Sequence, residues 1–245
     1  MELREAIPTA IARALEVRGS YEVTGKGPER WTSVTAAVDG SMEIVVPLRA
    51  PKRPFLRGGE PLAAEPLRSL GFEVFEFGWL KPLRAYPGAT KEAAAAIERV
   101  FVEMLSSSRG DKATVDLDYP GLVPGCPGPP PDAPHAEHIR DALAVFSLDP
   151  ETDLCVRAGL PSCLYLQLAL APDGQVHVDA TIEEDRRPEI PGFAPSPEVE
   201  LGVRATYPLA EVADAAAAVM HEHLRVSPAE PLFIELSSDV LILGA

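Results

Sequence analysis

From residue 164 to residue 182 the chain keeps time in twos. Leu164, Leu166, Leu168 and Leu170 fall at alternate positions, and after Asp173-Gly174 so do Val176, Val178, Ala180 and Ile182. That period places each set on one face of a strand, and Asp-Gly between them is a hairpin signal. The polar set Gln175, His177, Asp179 and Thr181 is expected to face outward, with helices on the apolar side. An earlier stretch repeats the pattern: Val34, Ala36 and Val38 alternate with polar residues, Asp39-Gly40 marks the turn, and 42–48 resumes as a strand.

Helical spacing fills the intervals. Residues 2–18 predict a helix burying Ile7, Ile11, Ala14 and Leu15, with Pro8 near its start and Gly19 as its cap. A short helix is predicted at 62–70, then a strand "FEVFEFGW" at 72–79 whose imperfect alternation suggests a bulge. The clearest helix spans 89–107, with Ile97, Val100, Phe101, Met104 and Leu105 on one face. A strand at 113–119 closes this half.

The same order then returns. Asp132 is the expected N-cap, with Pro134 in the first turn of a helix carrying Ile139, Leu143 and Phe146 up to Asp149-Pro150. The leucine hairpin follows, then a proline-rich loop (186–197) and "LGVRATY". A helix at 208–225 bears Leu209, Val212, Ala213, Ala216, Val219, Met220 and Leu224, and "PLFIELSS" ends the half as a strand.

The two halves map onto each other by nearly constant shifts. Gly40 corresponds to Gly174, a shift of 134, while "EAAAAI" and "DAAAAV" correspond at 122 and the closing strands at about 118. A deletion of roughly a dozen residues, where only the first half has its extra short helix, accounts for the change. The predicted fold is therefore α+β: a tandem duplication of an α-β-β-(loop)-β-α-β unit, with antiparallel sheets and helices on one face. The first repeat is assigned to 1–120 and the second to 135–245. Positions 120–134 hold seven prolines and three glycines, a composition that favours a stiff, extended tether over either regular element. Two such repeats are expected to pack as a pseudo-dimer, giving a monomer with a pseudo-two-fold axis or a homodimer.

Composition narrows the function classes. Hydrophobic residues make up 46% of the chain and mean hydropathy is +0.03, enough for a core but with no apolar run of membrane-spanning length. The N-terminal stretch carries acids and lacks a signal-peptide pattern, so a cytoplasmic location and no membrane partner are expected. The net charge of −15 is concentrated in residues 121–245, which hold 6 Lys+Arg against 20 Asp+Glu. Such a surface repels phosphate backbones and attracts basic partners, so nucleic acid is not an expected ligand. The one basic cluster (Arg49, Lys52, Arg53, Arg57) reads as a proline-rich solvated loop.

Catalytic motifs do not emerge. There is no GxSxG, Walker loop or GxGxxG. His221 and His223 lie two apart on a predicted helix, the wrong spacing for a zinc pair, and His223 reads as a core-edge residue. His135 and His138 open a helix and read as solvated. Asp116 and Asp118 share a strand face, a default solvated pair that with a third ligand would suit a cation. Cys126, Cys155 and Cys163 lack CxxC spacing and read as reduced thiols, with Cys155 and Cys163 buried. No catalytic residue, metal ligand or cofactor is assigned.

Aromatic residues cluster in the first half, and "FEVFEFGWLKPLRAYPG" carries more rings than one buried face hides. Phe75, Phe77, Trp79 and Tyr86 are the candidate binding residues. At "LRSLGFEVFEFGWLKPL", through Leu67, Leu70, Gly71, Phe72 and Trp79, the chain resembles the YbjN and type III secretion chaperone-like superfamily. The resemblance covers about 60–119. It implies a sheet with flanking helices that binds segments of other proteins, without catalytic residues. The expected function is a non-enzymatic chaperone-like or adaptor protein with a polypeptide partner, basic or secreted. The alternatives are an immunity or inhibitor protein capping a basic toxin, and a cation-assisted hydrolase using Asp116 and Asp118.

Overall fold

Both Asp-Gly signals are turns. In the computed structural model, which describes residues 1–26, 30–47, 62–74, 78–119, 128–146, 153–158, 165–171, 173–181, 189–197 and 202–237, Gly40 and Gly174 lie at φ 85° and 81°. Glycine enters that left-handed region without a Cβ penalty. Asp39 and Asp173 each accept from the backbone N–H two residues on, at 2.8 and 3.0 Å. The same two backbone bonds close each turn, from Ala37 to Ser41 and Gly40 to Ala37, and from Ala171 to Gln175 and Gly174 to Ala171.

The chain divides into two compact units, residues 1–118 and 119–245. The first runs α1 (Leu3–Val17), β1 (Ser20–Thr24), β2 (Trp31–Ala36), β3 (Met42–Val46), α2 (Ala64–Ser69), β4 (Glu73–Val74), β5 (Trp79–Leu83), α3 (Ala89–Arg99), a π-turn (Val100–Met104) and β6 (Thr114–Tyr119). The second runs α4 (His135–Phe146), β7 (Asp153–Ala158), β8 (Tyr165–Leu170), β9 (Gln175–Thr181), β10 (Ala194–Pro195), β11 (Val203–Pro208), α5 (Val212–Ala218), a π-turn (Val219–His223) and β12 (Leu232–Ser237). Each unit holds an antiparallel six-stranded sheet, and the strand orders β4-β5-β3-β2-β1-β6 and β10-β11-β9-β8-β7-β12 correspond place for place. The protein is α+β, with one sheet in each half.

Each unit has two more strands than the predicted four. β1 and β7 follow the first helices and were missed because five or six residues of alternation are short beside a long helical pattern. In the "FEVFEFGW" region, β4 and β5 pair antiparallel (Glu73 with Leu80, Val74 with Trp79), so the broken alternation marks a chain reversal and not a bulge. Phe75 and Phe77 lie outside the described residues, as do Leu164, Ile182, Cys126, Cys163 and Asp149-Pro150.

The helices obey their predicted faces with local corrections. The left-handed cap of α1 is Arg18 (φ 50°), one residue before Gly19, whose N–H bonds the Ala14 carbonyl. Arg18 lies over the first hairpin turn, its Nη1 3.5 Å from where a Gly40 Cβ would stand. In α4 the first bonds go to the Pro134 carbonyl, so Asp132 falls outside the helical turn it was expected to cap. Leu209 precedes α5 and is exposed rather than core. The first core joins Ile7, Ile11 and Ala14 of α1, Val34 and Ile44 of the sheet, and Ile97, Val100, Phe101 and Leu105 beneath the long helix. In the second unit Leu166, Leu168, Val176, Val178 and Ala180 are all fully buried, as their alternation predicts.

A rarer feature also recurs. Both long helices end in a five-residue π-turn closed by matching bonds: Leu105 to Val100 and Ser107 to Phe101, then Leu224 to Val219 and Val226 to Met220. Each is followed by a non-glycine residue at positive φ, Ser106 (52°) and Arg225 (59°). π-turns are uncommon, and left-handed non-glycine residues are a few per cent of the total. The π-turns correspond at a shift of 119 and the helix starts, Ala89 and Val212, at 123, because α5 has seven residues against eleven in α3; the alanine runs, matched at 122, follow neither end.

Candidate functional site

In the first unit the polar groups gather around the turn after α2. Gly71 adopts φ 82° there, and Leu67 and Phe72 on either side are buried to 1% exposure or less. Lys81 projects from β5 on the core side of the sheet and is itself buried. Its ammonium donates 2.7 Å to the Leu70 carbonyl at the end of α2 and lies 2.8 Å from Glu92 Oε1 in the first turn of α3. Charge of this sign suits a helix C-terminus, and Glu92 suits an N-terminus. A Cβ on Gly71 would stand 3.0 Å from Lys81 Nζ. Tyr86 completes the group by donating its hydroxyl to Glu92 Oε2. Lys81 and then Tyr86 hold the Glu92 carboxyl below the usual carboxylate range, and the bond to Glu92 pushes the Tyr86 hydroxyl up.

This arrangement separates the predicted binding residues. Trp79 is 5% exposed and belongs to the core, while Tyr86 is 49% exposed. The Tyr86 ring lies over Gly88, where a Cβ would approach it to 2.6 Å. Lys81 and Glu92 were not singled out in the sequence. The available signal was a lysine in an otherwise apolar strand followed by an acid in the next helix's first turn.

The second unit carries its charge pair in the sheet. Asp179 and Arg204 are register partners on β9 and β11, with 2% and 12% side-chain exposure. The polar face of β9 is therefore not uniformly solvated. Gln175 is exposed, His177 is half-buried and bonds Thr206 Oγ1 at 2.9 Å, and Asp179 is buried because Arg204 neutralises it. On β7 and β12, the Arg157 guanidinium lies 4.3 Å from the centroid of the buried Phe233 ring, a cation–π contact.

The histidines depart from expectation. His135 and His138 are buried, not solvated. The His135 ring stacks on His221 (centroids 5.1 Å apart) and bonds the Glu230 carbonyl at 3.0 Å, while His221 Nδ1 bonds the Val226 carbonyl at 2.9 Å. Because carbonyls only accept, each of those ring nitrogens carries its proton. His223 is exposed, and His221 takes the core-edge place: the π-turn adds a residue to the helical repeat and rotates the face.

Asp116 and Asp118 sit on β6. Asp116 accepts from Thr114 Oγ1 (2.8 Å) and Asp118 from Ser20 Oγ (3.2 Å), which in turn accepts from Thr35. Partial desolvation beside β1 pushes the carboxyl of the exposed Asp118 up, against the Ser20 bond. Cys155 is half-buried on the outward face of β7 rather than core, and desolvation by its neighbours pushes its thiol up to about 12. Among the described residues, no three His, Cys, Asp or Glu side chains come together in a way that could hold a metal ion, and no helix is long and apolar enough to cross a membrane.

These features define a protein of two α+β units with structural ion pairs inside each. No family model matches the chain, and neither a curated protein nor a solved structure matches it significantly.

Proposed function

We propose that the protein is a chaperone-like or adaptor protein that binds a segment of another polypeptide, built by tandem duplication of one α+β unit. The observation that carries this reading is the turn around Gly71. The Leu-Gly-aromatic piece that resembles the YbjN and type III secretion chaperone-like group is a built element, with Leu67, Phe72 and Trp79 in the core and Lys81 bonded to the turn. Duplication is supported by the matching strand orders and by the π-turn with its positive-φ exit in each unit. The described ionic groups favour the same reading, because Lys81 with Glu92 and Asp179 with Arg204 are structural pairs rather than groups converging on an open point.

The test is affinity capture of the full chain from its native host, with in vivo cross-linking. A specific polypeptide partner, enriched over a charge-matched acidic control protein, is the expected result. Recovery of nothing above that control overturns the reading.

A further inference from the structure

Resting on that reading, we infer that the free edge of β6 is a docking strand for an extended partner segment in which basic and apolar residues alternate. β6 ends the strand order of its sheet, and among the described residues Thr114–Tyr119 pairs with β1 alone. Residues 1–3 pair with 111–113 just before it, where Met1 and Ala113 exchange backbone bonds, so the open edge begins at Thr114. A sheet edge offers unpaired N–H and C=O groups to another chain. The other three edges are poorer templates. β4 and β10 have two residues each, β10 including Pro195, and in β12 Leu232, Phe233 and Ile234 are buried on both faces. β6 is six residues long, and Thr114, Asp116, Leu117 and Asp118 are all exposed.

The side chains of β6 specify the occupant. Asp116 and Asp118 share one face, and residues opposite them in an added strand fall on that face at every second position. On the other face Val115 packs against the core, and Leu117, two residues on, is 50% exposed, so the core's apolar strip runs out onto the open edge. A segment alternating Lys or Arg with an aliphatic residue meets both. A second copy of this chain does not, because antiparallel pairing would set Asp116 and Asp118 against like charges.

The test uses the isotope-labelled full chain and three capped synthetic hexapeptides: alternating Val-Lys, alternating Val-Glu, and the Val-Lys peptide with alternate amides N-methylated. Saturable shifts at the β6 amides with Val-Lys alone are expected, at least about tenfold weaker in the Asp116→Lys, Asp118→Lys double variant. The Asp116→Lys single variant carries the test if the double variant misfolds. A Glu137→Lys, Glu222→Lys chain, with the same change in net charge elsewhere, should bind as the parent does. Absent binding, equal loss in that control, or indifference to N-methylation overturns the inference. If a captured cellular partner ignores Asp116→Lys, the edge assignment falls and the function reading stands. If the hexapeptide binds as stated but no partner is recovered, the reverse holds.

Discussion

Asp179 and Arg204 face each other across β9 and β11, and Arg204 grips both carboxylate oxygens, Nε at 2.9 and 3.0 Å and Nη2 at 2.6 Å. By strand register, the corresponding pair in the first unit is Val45 opposite Leu80. One scaffold position thus holds an ion pair in one unit and two aliphatic side chains in the other.

That contrast makes a prediction about buried charge. Arg204→Met strands Asp179 in a nearly dry site and should cost about 3–5 kcal/mol. The double change Asp179→Val, Arg204→Leu, which copies the first unit, should recover most of that loss. Urea denaturation of the three proteins measures both effects. An equal loss in the single and double variants would show that the ion pair does more than neutralise itself.

Gly71→Ala should destabilise by about 1–2 kcal/mol through its left-handed φ, apart from any displacement of Lys81. Chemical denaturation beside the parent chain measures it.

The Lys81–Glu92 contact predicts a pH effect. The folded Glu92 carboxyl is depressed, so its stabilisation is present above the unfolded value of 4.5 and is lost as pH falls through the lower folded value. Because Glu92 is 42% exposed, the contribution should stay below about 1 kcal/mol. Lys81→Met should return the Glu92 titration, followed by NMR, towards the ordinary carboxylate range.

Asp118 has the opposite sign. Its folded value is raised, so the carboxylate opposes folding at neutral pH and the penalty fades in acid. Because the side chain is exposed, Asp118→Asn should raise the melting temperature at pH 7 only slightly, with the gain disappearing below about pH 4. A constant gain across that range would point to a cause other than charge.

Cys155 should resist thiol reagents. With its thiol pushed up to about 12, almost no thiolate exists at neutral pH. In a Cys126→Ser, Cys163→Ser chain, a chromogenic disulfide reagent should react only after unfolding. Fast labelling of the native protein would contradict the desolvation that sets this value at a half-buried position.

What the sequence revealed was local. Alternation and Asp-Gly placed the two central hairpins, and three-four spacing placed Ile97, Val100, Phe101 and Leu105 in the core. The π-turns were illegible because Val100–Met104 keeps the apolar spacing of an ordinary helix while the backbone adds a residue to the turn. Lys81 and His135 look like surface residues in isolation. Their burial depends on a helix end, a carbonyl and a second ring supplied from elsewhere in the fold. The candidate aromatic surface divided for the same reason, since nothing adjacent to Trp79 and Tyr86 reveals that one serves the core and the other bonds Glu92 from the surface.

Helices α3 and α5 differ by four residues, yet both hand the chain on through the same kind of bend. Four residues complete about one revolution and shift the terminus by about 6 Å. Such an insertion slides the bend along the sheet without turning it away from its strand. Lengthening or trimming by one or two residues would point the exit somewhere else. Natural variation in these two segments should therefore come in whole revolutions, a rule that can be read directly from the lengths of related chains.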